Sequence, residues 1–309
     1  MKRRSFLGLA AGAAALSAME KKVPTPIIDA HIHLFDPSRP QGVPWPTQSD
    51  GSLYQATLPD RYRRITQGFG ITGAIAVECS PWVDDNDWLL GTAARDRIIV
   101  GAVGNLDPGA ADFHKQLDRL RQNRLFRGIR YGNLWDRDLS AQLVKPEFIS
   151  GLRALADSGL SLDSANPDPR LISALVRVTD QVPTLRVVID HLPQLDPPAD
   201  EHARESLRSN LQELGARPQV YVKVSEVLRR VDGHVPTDPD FYRARLDEIW
   251  QTFGEDRLMY GSDWPNSDRW GTYPEVFRIA HEYVAAKSAS VQEKFFWKNA
   301  AAAYRLKQR

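Results

Sequence analysis

Eight short apolar runs, mostly separated by longer amphipathic stretches and spread over about 250 residues, predict a single (β/α)8 barrel. A second observation agrees: the runs lack clean period-two alternation, as expected of parallel strands covered on both faces. A third is the absence of any internal repeat, low-complexity tract or interdomain linker, so the 309 residues read as one domain over 24–306 after a leader.

The strand candidates in chain order are TPIIDAHIHLF, GAIAVECS, RIIVGAVGNL, FRGIRYGN, GLSLDSA, LRVVIDHL, VYVKVSEV and RLMYGSDWP. Helical patterns lie among them, including ADFHKQLDRLRQN, KPEFISGLRALADSG, PRLISALVRVTDQVP, ARESLRSNLQELGA and DPDFYRARLDEIWQTFG. Stop signals fit this placement. Asp157-Ser158-Gly159 ends a helix before the fifth strand, and Gly254 ends another before the eighth. The Pro-, Gly- and aromatic-rich stretch from Asp36 to Arg64 follows the first strand, where active-site loops of such barrels begin, and reads as an ordered lid or pocket wall.

The leader is MKRRSFLGLAAGAAALSA. It combines a basic start, an apolar run too short to span a membrane and small residues at its end, the layout of an export signal over residues 1–18. Adjacent Arg3 and Arg4 before Ser5-Phe6-Leu7 give it a twin-arginine character, which predicts the export machinery as a partner and a periplasmic mature protein without a membrane span. Forty basic against thirty-nine acidic side chains leave a net charge of +1, which argues against a nucleic-acid footprint and favours a small-molecule partner. Cys79 is the only cysteine, so no intramolecular disulfide can form; on its strand it reads as a small buried hydrophobe. Oligomeric state leaves no mark in the sequence.

Within the first run, strand alternation puts Asp29, His31 and His33 on one side and Ile28, Ala30 and Ile32 on the other. Three ionisable groups on one face suit a metal, a catalytic constellation or a wet strand end. Chemistry in a barrel of this kind sits at the carboxyl ends of the strands, and ionisable residues do gather there: His31 and His33 on the first, Glu78 on the second, Arg130 on the fourth, Asp163 near the fifth, His191 on the sixth, Glu226 after the seventh and Asp263 on the eighth. Asp190 alternates away from His191 and is assigned to structure. Arg130 can grip a substrate carboxylate or carbonyl bidentately, or form a structural ion pair. Glu78 is a candidate metal neighbour, substrate acceptor or salt-bridge partner. Trp45, Trp82, Trp135 and Trp264 fall on loops after strands and are candidates to stack on a ring face.

The combination of DAHIHLFDP, LRVVIDHLPQ and RLMYGSDWPNSD at these positions resembles the amidohydrolase superfamily, in its amidohydrolase-related branch, over roughly residues 24–306. That branch includes lactonases acting on sugar lactones and on lactones of aromatic degradation. The resemblance implies His31 and His33 as metal ligands, His191 as a ligand or carbonyl polariser, and Asp263 as ligand and as acceptor of the proton from attacking water. It implies a divalent cation, zinc foremost, and also admits metal-free operation, because the fifth strand offers Asp163 where many members carry a His or Lys ligand. The activity expected is hydrolysis of a small lactone of the sugar or muconolactone type, with Glu78, Arg130, His191, Trp45, Trp82 and Trp264 around the substrate. The alternatives are nonoxidative decarboxylation on the same barrel and a catalytically silent periplasmic binding protein.

Overall fold

A computed structural model describes residues 25–165, 167–193 and 197–306. The predicted leader, residues 1–18, lies outside the described residues. Eight parallel strands run in the order β1 (Ile27–His33), β2 (Ile71–Val77), β3 (Ile99–Gly104), β4 (Phe126–Arg130), β5 (Ser161–Ser164), β6 (Arg186–Ile189), β7 (Val220–Val224) and β8 (Leu258–Tyr260). The barrel closes just past β8. There Asp263 N–H donates to the His31 carbonyl at 2.9 Å, and His33 N–H donates to the Trp264 carbonyl at 2.8 Å. The predicted eight-stranded barrel is the fold observed.

Apolar side chains fill two layers. Inside the barrel sit Ala30, Ile75, Val77, Val103, Val188 and Met259, with Ala300, Ala303 and Tyr304 of the C-terminal helical segment closing one end. Outside it, the larger core packs strands against helices through residues such as Ile32, Tyr62, Leu162, Leu175, Val222 and Ile279. Helix starts use the expected chemistry. Asp168, Asp200 and Asp238 each accept a hydrogen bond from the first-turn backbone, and Thr272 with Glu275 forms a capping box. Gly159 and Gly254 end their helices at φ +71° and +70°, conformations that side chains with a Cβ rarely adopt.

Two features of the strands reposition residues relative to the sequence expectation. In β1, pairing runs from Asp29 opposite Ala74 to Ile32 opposite Ala76, so three steps on β1 match two on β2. This bulge resets the alternation. Asp29 therefore leaves the histidine face and turns to the helix layer, accepting from Tyr62 Oη at 2.8 Å, Tyr273 Oη at 3.3 Å and the Ser262 N–H at 2.8 Å. Among the described residues, no helix is long and apolar enough to cross a membrane.

Candidate active site

The second feature is a run of left-handed residues at the strand ends. His191, Glu226 and Asp263, which follow β6, β7 and β8, have φ of +67°, +49° and +59°. Such backbone costs of order 1–3 kcal/mol at each non-glycine residue and concentrates at functional sites. It also breaks the period of two. Asp190 and His191 both face the barrel mouth, and the assignment of Asp190 to a structural role away from the site is corrected: its Oδ1 lies 3.6 Å from His31 Nδ1 and 2.7 Å from Lys223 Nζ.

His31, His33 and Asp263 converge as predicted. The three distances are 3.2 Å between the two Nε2 atoms, 3.2 Å from His33 Nε2 to Asp263 Oδ1 and 3.6 Å from His31 Nε2 to Asp263 Oδ1. A zinc-like ion with ligand bonds of about 2.0–2.1 Å needs ligand atoms about 3.3 Å apart in a tetrahedron, so the triangle has the right size. Asp263 Oδ1 is buried and has no hydrogen-bond partner among the described residues, while its Oδ2 accepts from Asn266 Nδ2 at 2.7 Å. An orphaned carboxylate oxygen aimed between two imidazoles is the donor set a divalent cation requires. His33 is preset for this: the Val77 carbonyl, 3.0 Å from Nδ1, can only accept, which leaves the lone pair on Nε2.

Burial keeps both imidazoles neutral near pH 7. It lowers His31 far below the ordinary histidine range, with the Lys223 charge adding to the effect, and His33 to about 4, with Arg130 adding. In the protein without a cation, burial pushes the Asp263 carboxyl up to about 7; His191 opposes that shift and Glu226 adds to it. Glu226 itself is held below the usual carboxylate range: burial works against its charge, but His191 and Arg229 outweigh burial.

His191 completes the cluster. Ser225 Oγ holds its Nδ1 at 2.9 Å, its ring centroid lies 4.7 Å from that of His31, and its Nε2 lies 3.8 Å from Glu226 Oε1. His191, Glu226 and Asp263 form a second group whose ligand atoms fall within 4.8 Å of one another. Asn266 Nδ2 ties the two carboxylates together, reaching Glu226 Oε1 at 3.3 Å.

Other predicted residues are placed differently. Arg130 Nε donates to Glu78 Oε1 at 2.7 Å and Nη2 to the Glu78 carbonyl at 2.7 Å, a buried ion pair, while Nη1 lies 3.8 Å from Asp190 Oδ2. The ion-pair alternative for both residues is the one observed, and Trp135 Nε1 adds a bond to Glu78 Oε2 at 3.2 Å. Trp45 stands over the site with its ring 5.6 Å from that of His33. Together with Trp82, Glu78, Phe35 and Cys79 it lines a small, partly open hollow. Trp264 is corrected: it is 1% exposed and packs into the helix layer, 5.4 Å from the Tyr62 ring and under the Arg61 guanidinium, away from the mouth. Asp163 points into the barrel, where it accepts from Lys223 Nζ at 2.8 Å, Ser161 Oγ at 2.9 Å and Tyr304 Oη at 2.5 Å, and is not among the clustered ligands.

A family model described as Amidohydrolase matches residues 28–306. The chain belongs to the amidohydrolase family. As such it is an enzyme, a hydrolase. An L-fucono-1,5-lactonase of Burkholderia ambifaria is 30% identical over 244 residues, covering 78% of this chain and 80% of that one. An amidohydrolase of Burkholderia multivorans, solved with bound zinc, superposes with a TM-score of 0.81 at 25% identity, covering 91% of this chain and 99% of the other. The 5-carboxyvanillate decarboxylase of Sphingomonas paucimobilis shares the fold at a TM-score of 0.61 and 15% identity, over 92% of this chain and all of that one.

Sequence reasoning missed Lys223, Ser225 and Asn266 in the site. The signal for Lys223 was available, since a lysine within the apolar run VYVKV is costly to bury in a covered strand.

Proposed function

We propose that this amidohydrolase opens a small lactone, of the sugar-lactone class, to the hydroxy acid. The observation that carries the reading is the orphaned Asp263 Oδ1 facing His31 and His33 at 3.6 and 3.2 Å. The lactonase relative at 30% identity supports the substrate class. A divalent cation held by His31, His33 and Asp263 supplies, when bound, Lewis-acid polarisation and a water pKa lowered toward about 7.

The chain's own residues account for the proton. Asp263 takes it from water as the water oxygen bonds to the lactone carbonyl carbon, then returns it to the ring oxygen as the carbon–oxygen ring bond breaks. His191, fixed at Nδ1 by Ser225, offers Nε2 to the carbonyl oxygen as charge develops there. Trp45 supplies an apolar edge beside His33 against which the ring can lie, and the Glu78–Arg130 pair stiffens the wall at β2 and β4. A lactone suits this equipment. Its leaving alkoxide stays tethered to the product and needs less assistance than an amide nitrogen.

The reading also includes export through a twin-arginine-type signal and work in the periplasm, supported by Arg3 and Arg4 before the short apolar run. The deciding experiment is proton release from a panel of aldono- and muconolactones, with and without a chelator. Turnover lost on chelation and restored by zinc or manganese is the expected result. Turnover indifferent to chelation would assign the histidines to carbonyl polarisation, and release of CO₂ from aromatic acids with no lactone turnover would overturn lactone hydrolysis in favour of decarboxylation.

A further inference from the structure

Lys223 of β7 is fully buried inside the barrel, directly beneath the proposed cation site. Its Nζ lies 2.8 Å from Asp163 Oδ2, 2.7 Å from Asp190 Oδ1 and 3.2 Å from His31 Nδ1. A histidine that binds a metal through one nitrogen ordinarily gives the hydrogen on the other to a carbonyl or carboxylate, and this partner strengthens the ligand. His33 follows that rule with the Val77 carbonyl. His31 does not. The group nearest its Nδ1 is an ammonium, which can only donate, while the Asp190 carboxylate that could accept stands farther off at 3.6 Å and is engaged by the same ammonium.

We propose that Lys223 is a positioning residue that weakens the hold of the site on its cation, by placing a fixed positive charge against His31 and drawing Asp190 away from it. The inference rests on the reading of His31, His33 and Asp263 as a cation site. Two like charges sharing one imidazole in a dry interior repel with little screening. Asp163 and Asp190 make the buried ammonium tolerable, and Tyr304 and Ser161 hold Asp163 in turn. The consequence is a cation that exchanges with the medium rather than one locked in place.

The test measures zinc affinity by competition with a chromophoric chelator, in the wild type, in Asp163→Asn and in the double variant Lys223→Met with Asp163→Asn. The double variant removes one positive and one negative charge together, so the net charge of the barrel interior is unchanged. The expected result is zinc bound about tenfold more tightly by the double variant than by Asp163→Asn, the scale on which groups behind metal ligands act. A purely structural role for Lys223 gives the opposite sign, because a loosened site binds more weakly. Equal or weaker binding in the double variant overturns the inference while leaving the cation site intact. Absence of zinc binding in all three proteins, with no difference from His31→Ala, overturns the cation site and the inference together. Should the double variant fail to fold, Lys223→Gln, whose amide can still bridge Asp163 and Asp190, is compared with the wild type under the same criterion.

Discussion

Asp263 Oδ1 lies 3.2 Å from His33 Nε2 with no hydrogen-bond partner among the described residues, in a residue whose backbone is left-handed at φ +59°. A buried carboxylate oxygen left open on a strained backbone is costly. It persists because neighbours over-determine it: its N–H is tied to the His31 carbonyl and its Oδ2 to Asn266.

Replacing Asp263 by Asn keeps the shape and removes the base. The expected outcome is a fall in kcat of about 10²–10⁴ on whatever lactone the enzyme turns over, the usual worth of a positioned acid or base. Circular dichroism should be unchanged. Assays at saturating zinc separate loss of the base from loss of a ligand, and a variant that retains wild-type kcat would remove Asp263 from the mechanism.

The Glu78–Arg130 pair gives a second prediction, in which stability rather than substrate affinity responds. Both side chains are nearly buried, at 4% and 7% exposure, and the guanidinium is committed to Glu78. Arg130→Met leaves a buried carboxylate without its charge partner and should cost about 3–5 kcal/mol in denaturant unfolding. Adding Glu78→Leu should recover much of that loss. Were Arg130 instead a substrate grip, Arg130→Met would raise KM strongly with little change in stability.

The strands and the rim residues were legible in the sequence because both follow from composition and order: covered strands read as apolar runs, and ionisable residues at their carboxyl ends mark the site. What misled was every argument that extended strand alternation past a break. The β1 bulge moved Asp29 to the helix layer, and the left-handed backbone after β6 brought Asp190 in beside His191. The β1 bulge has no glycine or proline to announce it, and at His191 the nearest is Pro193, two residues on. Trp264 was misplaced for a related reason, since a loop residue beside a barrel rim can turn inward to Tyr62 as readily as toward the mouth. Lys223 was visible as a residue but not as a partner, because its three neighbours come from β1, β5 and the end of β6.

Cys79 supplies a third prediction. Burial pushes its thiol well above the ordinary cysteine range, and the adjacent Glu78 charge adds to the shift. A raised pKa keeps the thiol protonated, so the reactive thiolate is scarce at pH 8. Native protein should therefore react with Ellman's reagent very slowly at pH 8, and one equivalent should react promptly after unfolding in guanidinium. Rapid stoichiometric reaction of the native protein would contradict the placement of Cys79 against the Leu34 carbonyl, 3.4 Å away.

Asp29 supplies the last. It holds β1 to the start of the β8 loop through the Ser262 N–H at 2.8 Å and holds both to the helix layer through Tyr62 and Tyr273. Asp29→Ala would leave two backbone N–H groups, of Ser262 and His31, without their carboxylate and take one partner from each of two tyrosine hydroxyls; a buried polar group left unpaired costs about 1–3 kcal/mol. Ser262 immediately precedes Asp263, so the slackened loop should also shift the carboxylate relative to His33; displacements of about 1 Å can cost 10²-fold in rate. The expected outcome is a lower Tm together with reduced kcat and weaker zinc binding. Tyr62→Phe removes one of the four bonds to Asp29 while keeping the ring against Trp264, and should cost about 1 kcal/mol with kcat unchanged. If Asp29→Ala lost kcat and zinc affinity at full thermal stability, Asp29 would belong with the histidines after all, and the bulge in β1 would not separate them.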